Sequence, residues 1–351
     1  MPRRLARAPL VSAIAAVLPG AGAGAGPATA QVPGSATGTH CAPARSGLTT
    51  VSVTSAGVSC SVSLYVPRGY TGRHAVPLVL NLHGSGSNGL DQLTITDMQR
   101  AADEHGFLVA VPNGGAPQPD SPGGYTWVLP GVPNTSGQLP SPDDRDDVRF
   151  LADTISSVSD AFCVDAGRVY ATGFSGGARM ASLLACRLSD RIAAIAPVSG
   201  LRAGIPDAED PTRPDTGSCA PSRPVPVLAF HGQEDEVNPY SGDGPGYWLY
   251  SVPAAFDRWA ALNGCRVGPY DTPLTEHVTL KTYPACRDGA DVSLYVIADG
   301  GHTWPGSPYP AAFSGLGKVS DEVNATDAMW TFFERHTLPS ARHDKAHRPA
   351  S

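Results

Sequence analysis

The run Arg168-Val169-Tyr170-Ala171-Thr172-Gly173-Phe174-Ser175-Gly176-Gly177-Ala178-Arg179 decides the fold. Its first five residues read as a strand, and from Ala178 to Leu188 the spacing is helical. A serine between glycines at a strand-to-helix turn is the G-x-S-x-G pattern. Such a turn is too tight for side chains at its flanks, so glycine stands there. Its strain lifts the serine hydroxyl clear of the sheet, above the positive end of the following helix. Ser175 is therefore the candidate covalent nucleophile. Ordinary Gly/Ser turns produce the same pentapeptide, so the reading needs a base, an orienting acid and oxyanion donors elsewhere in the chain.

Outward from that turn, the 351 residues are 41% hydrophobic and 16% charged, a globular composition. The formal charge is −7, or −10 once the three arginines of residues 1–30 are set aside. No basic patch stands out, which argues against nucleic acid as a partner. Residues 1–30 read as a secretory signal: Arg3, Arg4 and Arg7, a short apolar run Leu10 to Leu18, and Ala28-Thr29-Ala30 as a cleavage site. The apolar run is too short for a membrane anchor, so no membrane association is expected after its removal. Arg3-Arg4 does not separate twin-arginine from general export. Export makes the seven cysteines disulfide candidates, with at least one left over. No CxxC or His-Cys cluster suggests a metal site.

Residues 31–47 read as a flexible segment, 48–337 as one domain and 338–351 as a disordered tail. Thr49–Val53 and Ser59–Val66, around Ser55-Ala56-Gly57, read as an antiparallel hairpin on a sheet edge. A Cys41–Cys60 bridge is the expected staple for it. Pro77–Leu82 reads as a buried strand ending in His83-Gly84-Ser85-Gly86, Asp91 to His105 as one helix, and Phe107–Pro112 as the next strand. Residues 113–143 form a long Pro/Gly-rich loop. The acid run Asp143 to Asp147 reads as helix capping and dipole compensation. Strands follow at Ile192–Val198, Val225–Phe230, Thr275–Tyr283 and Val292–Ile297, with helices at 252–263 and Thr326–His336. Alternation of strands and helices implies a largely parallel sheet covered on both faces, with chemistry at the carboxyl ends of its strands.

The base belongs beyond the last strand, where Gly300-Gly301-His302 stands; His83 and His231 each head a His-Gly turn and read as structural. For the acid, Glu234, Asp235, Glu236 and Asp299 all stand after strands. The oxyanion donors are expected at the N–H of Gly176 and the N–H of Ser85. No cofactor is required by such a set.

Together these motifs resemble the secreted polyhydroxybutyrate depolymerase/feruloyl esterase group, the carbohydrate-esterase-like branch of the α/β-hydrolases, which includes acetylxylan esterases. The resemblance spans roughly residues 48–337. It is carried by Leu82–Asn88, Asp146-Asp147-Val148, Gly173–Gly177, His231-Gly232 and, most specifically, Gly300-Gly301-His302-Thr303-Trp304-Pro305-Gly306. It implies an α/β-hydrolase fold, selects Asp235 as the acid, and completes the order Ser175, Asp235, His302. Two positions depart from the commoner pattern: Ser85 stands where cysteine is frequent, and Asn238 is inserted before Pro239-Tyr240. The implied topology puts Cys163, Cys186 and Cys219 at the end of the sheet opposite the site, where two of them pair. It also makes Cys265–Cys286 a bridge around an insertion.

The resemblance implies a Ser-His-Asp hydrolase of carboxylic esters, acting on hydroxybutyrate esters or on feruloyl esters of plant polysaccharide. Acetylxylan esterase, acyltransferase, serine peptidase and a non-catalytic binding protein are the alternatives. Tyr125, Trp127, Tyr240, Tyr247, Trp248, Tyr250 and Trp304 crowd the loops above the strand ends. Trp127, Tyr240 and Trp304 are the expected substrate contacts. The absence of a Ser/Thr-rich linker leading to a binding module favours a soluble oligomer or small ester over an insoluble polymer.

Overall fold

A computed structural model describes residues 44–118 and 120–339. The expected signal (1–30), Cys41 and the tail from residue 340 lie outside the described residues. Strands β1 (Gly47–Ser55) and β2 (Val58–Val66) form the edge hairpin. Both residues of its turn, Ala56 and Gly57, have positive φ (49° and 82°), the conformation that matches the twist of the flanking strands. Cys60 is a free thiol, so the expected Cys41–Cys60 bridge is not formed. The two-residue period of β2 puts Cys60 in the row of Val62 and Leu64, where it packs against the core as a small hydrophobe.

Next come β3 (Val76–Leu82), α1 (Gly89–Ile95), α2 (Met98–His105) and β4 (Leu108–Val111). The single helix expected over 91–105 is two. Asp97 takes a left-handed backbone (φ 49°), and Thr96 Oγ1 turns back to Gln92 O at 2.7 Å while accepting from Asn81 Nδ2 at 2.9 Å. Side-chain bonds to the backbone here compete with helix propagation. The 113–143 loop carries a small ribbon, β5 (Ala116–Pro117) with β6 (Tyr125–Thr126). Then follow α3 (Asp147–Ala161), β7 (Val164–Phe174), α4 (Gly176–Arg187), β8 (Ala194–Val198) and β9 (Val227–Gly232). The chain closes with α5 (Val252–Leu262), β10 (Tyr270–Pro273), β11 (Val278–Tyr283), β12 (Val292–Ile297) and α6 (Ala325–Phe333).

Ten strands make one sheet in the order β1-β2-β4-β3-β7-β8-β9-β12-β11-β10. The run from β4 to β12 is parallel, and both margins are antiparallel. Alternate residues feed two cores. Leu78, Leu80 and Leu82 join α3, α4 and α5 on one face, while Val79, Tyr170 and Phe230 join α2 and α6 on the other. Burial on both faces explains why the central strands read as unbroken apolar runs.

Cys186 pairs with Cys219, and Cys265 with Cys286. The first ties the end of α4 to the segment before β9; the second brackets the β10–β11 ribbon. The parallel run also decides where the site is. β3, β7, β9 and β12 lie close together in the sheet and all discharge their carboxyl ends on one edge.

Candidate active site

Ser175 sits between β7 and α4 with φ 53° and ψ −112°, and its N–H donates to Val198 O at 2.9 Å. A non-glycine residue held there carries on the order of 1–3 kcal/mol of strain. The close approach behind it accounts for the neighbouring glycines. A methyl on Gly177 would stand 2.1 Å from Leu82 O, and one on Gly173 2.5 Å from the Gly177 carbonyl carbon.

Of the four candidate acids, Asp235 is the one that meets His302: Nδ1 lies 2.8 Å from Asp235 Oδ2. A carboxylate only accepts, so Nδ1 carries the proton and Nε2 is left as the basic nitrogen. Glu234 and Glu236 are exposed, and Asp299 pairs with Lys318. The His302 ring packs 4.8 Å from that of Phe174, next to Ser175 in the chain.

Asp235 is 3% exposed. Burial raises its pKa, but the charge of His302 and hydrogen bonds from His231 and His302 outweigh this and hold the carboxyl well below its usual range. Its other oxygen accepts from Val237 N (2.9 Å) and Asn238 N (2.7 Å). His231 Nε2 donates to Asn238 O at 2.8 Å and lies 3.3 Å from Asp235 Oδ2. Asn238 Nδ2 in turn donates to Ser199 O at 2.7 Å. His231 and Asn238 therefore brace the acid. The sequence marks them only as a His-Gly turn and an insertion, because neither position falls in a periodic pattern.

Behind the His302 loop, Glu322 holds His277 Nδ1 at 2.6 Å and Asp299 lies 3.8 Å from its Nε2. These three offer ligand atoms within 4.8 Å of one another, but Lys318 already neutralises Asp299. The cluster ties the segment before His302 to residues 316–322, where Leu316 O accepts from His302 N at 2.7 Å.

Ser85 faces Gly176 at close range. A methyl on Gly176 would lie 2.4 Å from Ser85 Oγ and 3.1 Å from Ser85 N, so the two expected donor amides are neighbours. The loop that holds Ser85 is pinned by His83, which is fully buried. Its Nδ1 donates to Gly84 O (2.8 Å), and its Nε2 accepts from Gly114 N (2.9 Å). Burial pushes the His83 pKa down to about 4, so the ring is neutral.

Trp127 and Trp304, expected as substrate contacts, are 3% and 1% exposed. Trp127 packs on His83 at 5.0 Å and donates to His83 O at 2.8 Å. Trp304 donates to Thr326 Oγ1 at 3.1 Å within the α6-side core. Both indoles need a polar partner for the N–H and an apolar wall for the ring, and the interior supplies both. Trp248 and Tyr250 are buried likewise, while Tyr240 is half-buried beside His231.

The acid run before α3 does more than cap and compensate the helix dipole. Asp146 caps α3, accepting from Arg149 N at 3.0 Å. Asp147 instead turns inward, accepting from Gly115 N (3.0 Å), Val128 N (2.8 Å) and Arg145 Nε (2.7 Å). It anchors the long loop that shelters His83.

Residues 60–210 match the family model described as esterase PHB depolymerase. Feruloyl esterase B of Piromyces equi is 30% identical over 280 residues, covering 78% of this chain and 44% of that protein. Feruloyl esterase D of Neurospora crassa is 26% identical over 330 residues, 92% of each chain. A solved thermostable esterase superposes with a TM-score of 0.50 at 15% identity, covering 83% of this chain and 63% of that one. That likeness shows the fold alone, an α/β-hydrolase sheet, which the ten-stranded order of this chain shares. Family match and relatives agree: this chain, on an α/β-hydrolase fold, is similar to the esterase PHB depolymerase family and to the feruloyl esterases.

Proposed function

We propose that this protein is a secreted serine hydrolase of carboxylic esters, with hydroxy-acid oligoesters or feruloyl esters of plant polysaccharide as substrates. The observation that carries the reading is the 2.8 Å His302–Asp235 pair at the same sheet edge as the strained Ser175 turn. In this mechanism His302 Nε2 takes the Ser175 proton as Oγ attacks the ester carbonyl. Asp235 fixes the imidazole tautomer and stabilises its cation, and the amides of Gly176 and Ser85 hold the oxyanion. His302 then protonates the departing alcohol. Water, deprotonated by the same ring, attacks the acyl-enzyme, releases the acid and restores Ser175.

Export is supported by the basic-then-apolar start of the sequence and by the disulfides. Among the described residues, no helix is long and apolar enough to cross a membrane. The test is hydrolysis of p-nitrophenyl butyrate by wild type and Ser175→Ala. Loss of activity on the order of 10⁴-fold or more is expected; equal rates refute the mechanism. A panel of β-hydroxybutyrate oligomer, feruloyl ester and acetylated xylan then assigns the substrate.

A further inference from the structure

Two arginines lie in the interior beside the Ser175 turn with no carboxylate to meet them. Arg179 follows Ser175 by one helical turn, its N–H donating to Ser175 O at 3.0 Å, so the two share a face of α4. Arg179 is 4% exposed and Arg202 8%. Arg179 Nη2 reaches Ser85 Oγ at 3.5 Å, while its Nε and Nη1 are buried without an acceptor. Arg202 Nη1 donates to Tyr250 O at 2.9 Å, and its Nη2 has no acceptor. Among the described residues neither forms an ion pair.

Aromatic faces compensate in part. Arg202 Cζ lies 3.0 Å from the Trp248 ring centre and 4.2 Å from that of Tyr250; Arg179 Cζ lies 4.8 Å from that of Tyr247. Desolvated cation–π contacts are favourable but recover only part of the cost of burying a guanidinium, which leaves an uncompensated charge. Burial lowers Arg179 to about 10. It lowers Arg202 to about 9, with Tyr250 opposing and the charge of Arg179 adding to the fall. Both remain cations at neutral pH, and they repel one another.

We propose that Arg179 and Arg202 form a subsite for a carboxylate carried by the substrate, so that the enzyme selects linear hydroxy-acid oligoesters with a free acid end. This rests on the ester-hydrolase reading of the same site. A carboxylate has lone pairs enough to accept one hydrogen bond from each of the three unfilled nitrogens, and it supplies the missing counter-charge. In the linear dimer of β-hydroxybutyrate that carboxylate sits on the leaving alcohol, two carbons from the ester oxygen. The subsite borders Ser85, beside the expected oxyanion position, which suits so short a spacing. Tyr247 follows the glycine-rich segment Gly242–Gly246 and covers Arg179; admitting the anion requires its ring to swing aside.

The test compares the linear β-hydroxybutyrate dimer with its methyl ester. Wild type is expected to favour the acid about tenfold or more in kcat/KM, and Arg179→Gln and Arg202→Gln each to bring the ratio close to one. A wild-type ratio of one overturns the proposal even if neither variant folds. Turnover of p-nitrophenyl butyrate alongside that ratio leaves the esterase reading intact. No turnover of any of the three esters refutes the esterase reading instead, and calorimetric binding of dimer and methyl ester to wild type still decides the subsite: equal affinity overturns it. Inorganic phosphate that competes as well as β-hydroxybutyrate also overturns it, showing a general anion site.

Discussion

His83 and Asp235 sit just past the ends of β3 and β9; burial sets the charge of the first, while neighbouring imidazoles hold that of the second against burial. Burial keeps His83 neutral, with its pKa lowered from 6.5 to about 4. Between those values the unfolded chain binds a proton that the folded protein refuses, so stability falls as pH drops from about 6.5 to about 4. The full loss is about 3 kcal/mol. We predict that urea unfolding of wild type at pH 7, 5.5 and 4 shows this slope and that His83→Gln flattens it. An unchanged slope in the variant refutes the assignment. Asp235 works the other way: its folded pKa is depressed, so its contribution is present above about pH 4 and is lost only as pH falls further. Replacing it by asparagine leaves the shape of the site but not the tautomer control of His302. Asp235→Asn is expected to cut kcat by on the order of 10⁴-fold with little change in KM, measured on p-nitrophenyl butyrate at pH 7.

Glycines on the helix side of the Ser175 turn separate its packing from its chemistry. At Gly177 a methyl meets backbone, Leu82 O at 2.1 Å and His83 O at 2.6 Å, where nothing yields. Gly177→Ala is expected to cost about 4 kcal/mol or more and to leave the protein largely insoluble. At Gly176 the first obstacle is the Ser85 hydroxyl, the end of a side chain. Gly176→Ala should fold, with a circular dichroism spectrum like wild type, while kcat falls on the order of 10²-fold as Ser85 is pushed from its place. Equal activity of Gly176→Ala and wild type would show that the Ser85 amide has no part in the reaction. This turn was legible in the sequence because its constraint is local: a tight reversal demands glycine at fixed offsets. The parallel strands were legible for a related reason, since burial on both faces leaves an apolar run. The α1–α2 break and β10 were not. The break depends on Thr96 finding Asn81 across the fold, and β10 (Tyr-Asp-Thr-Pro) is exposed throughout, with no alternation to read. Whether Trp304 and Trp127 face substrate or core was not legible, because an aromatic beside a strand end has the same sequence signature in both cases.

At the scale of the whole molecule, the long parallel sheet is closed by contacts far apart in sequence, and two disulfides secure the segments flanking its last strands. Cys186–Cys219 closes 33 residues and Cys265–Cys286 closes 21. Loop-closure entropy assigns them about 3.5 and about 3 kcal/mol. They span separate segments on either side of β9, so their effects should be close to additive. Together they match the lower end of the 5–15 kcal/mol that holds a typical domain folded. The expectation follows that Cys186→Ser/Cys219→Ser and Cys265→Ser/Cys286→Ser each lower the urea midpoint by about 1 M or more. Combining all four substitutions should leave a protein that is partly unfolded at 37 °C. If the combined variant keeps the wild-type midpoint, packing carries the fold without these two bridges, and they contribute nothing to its stability.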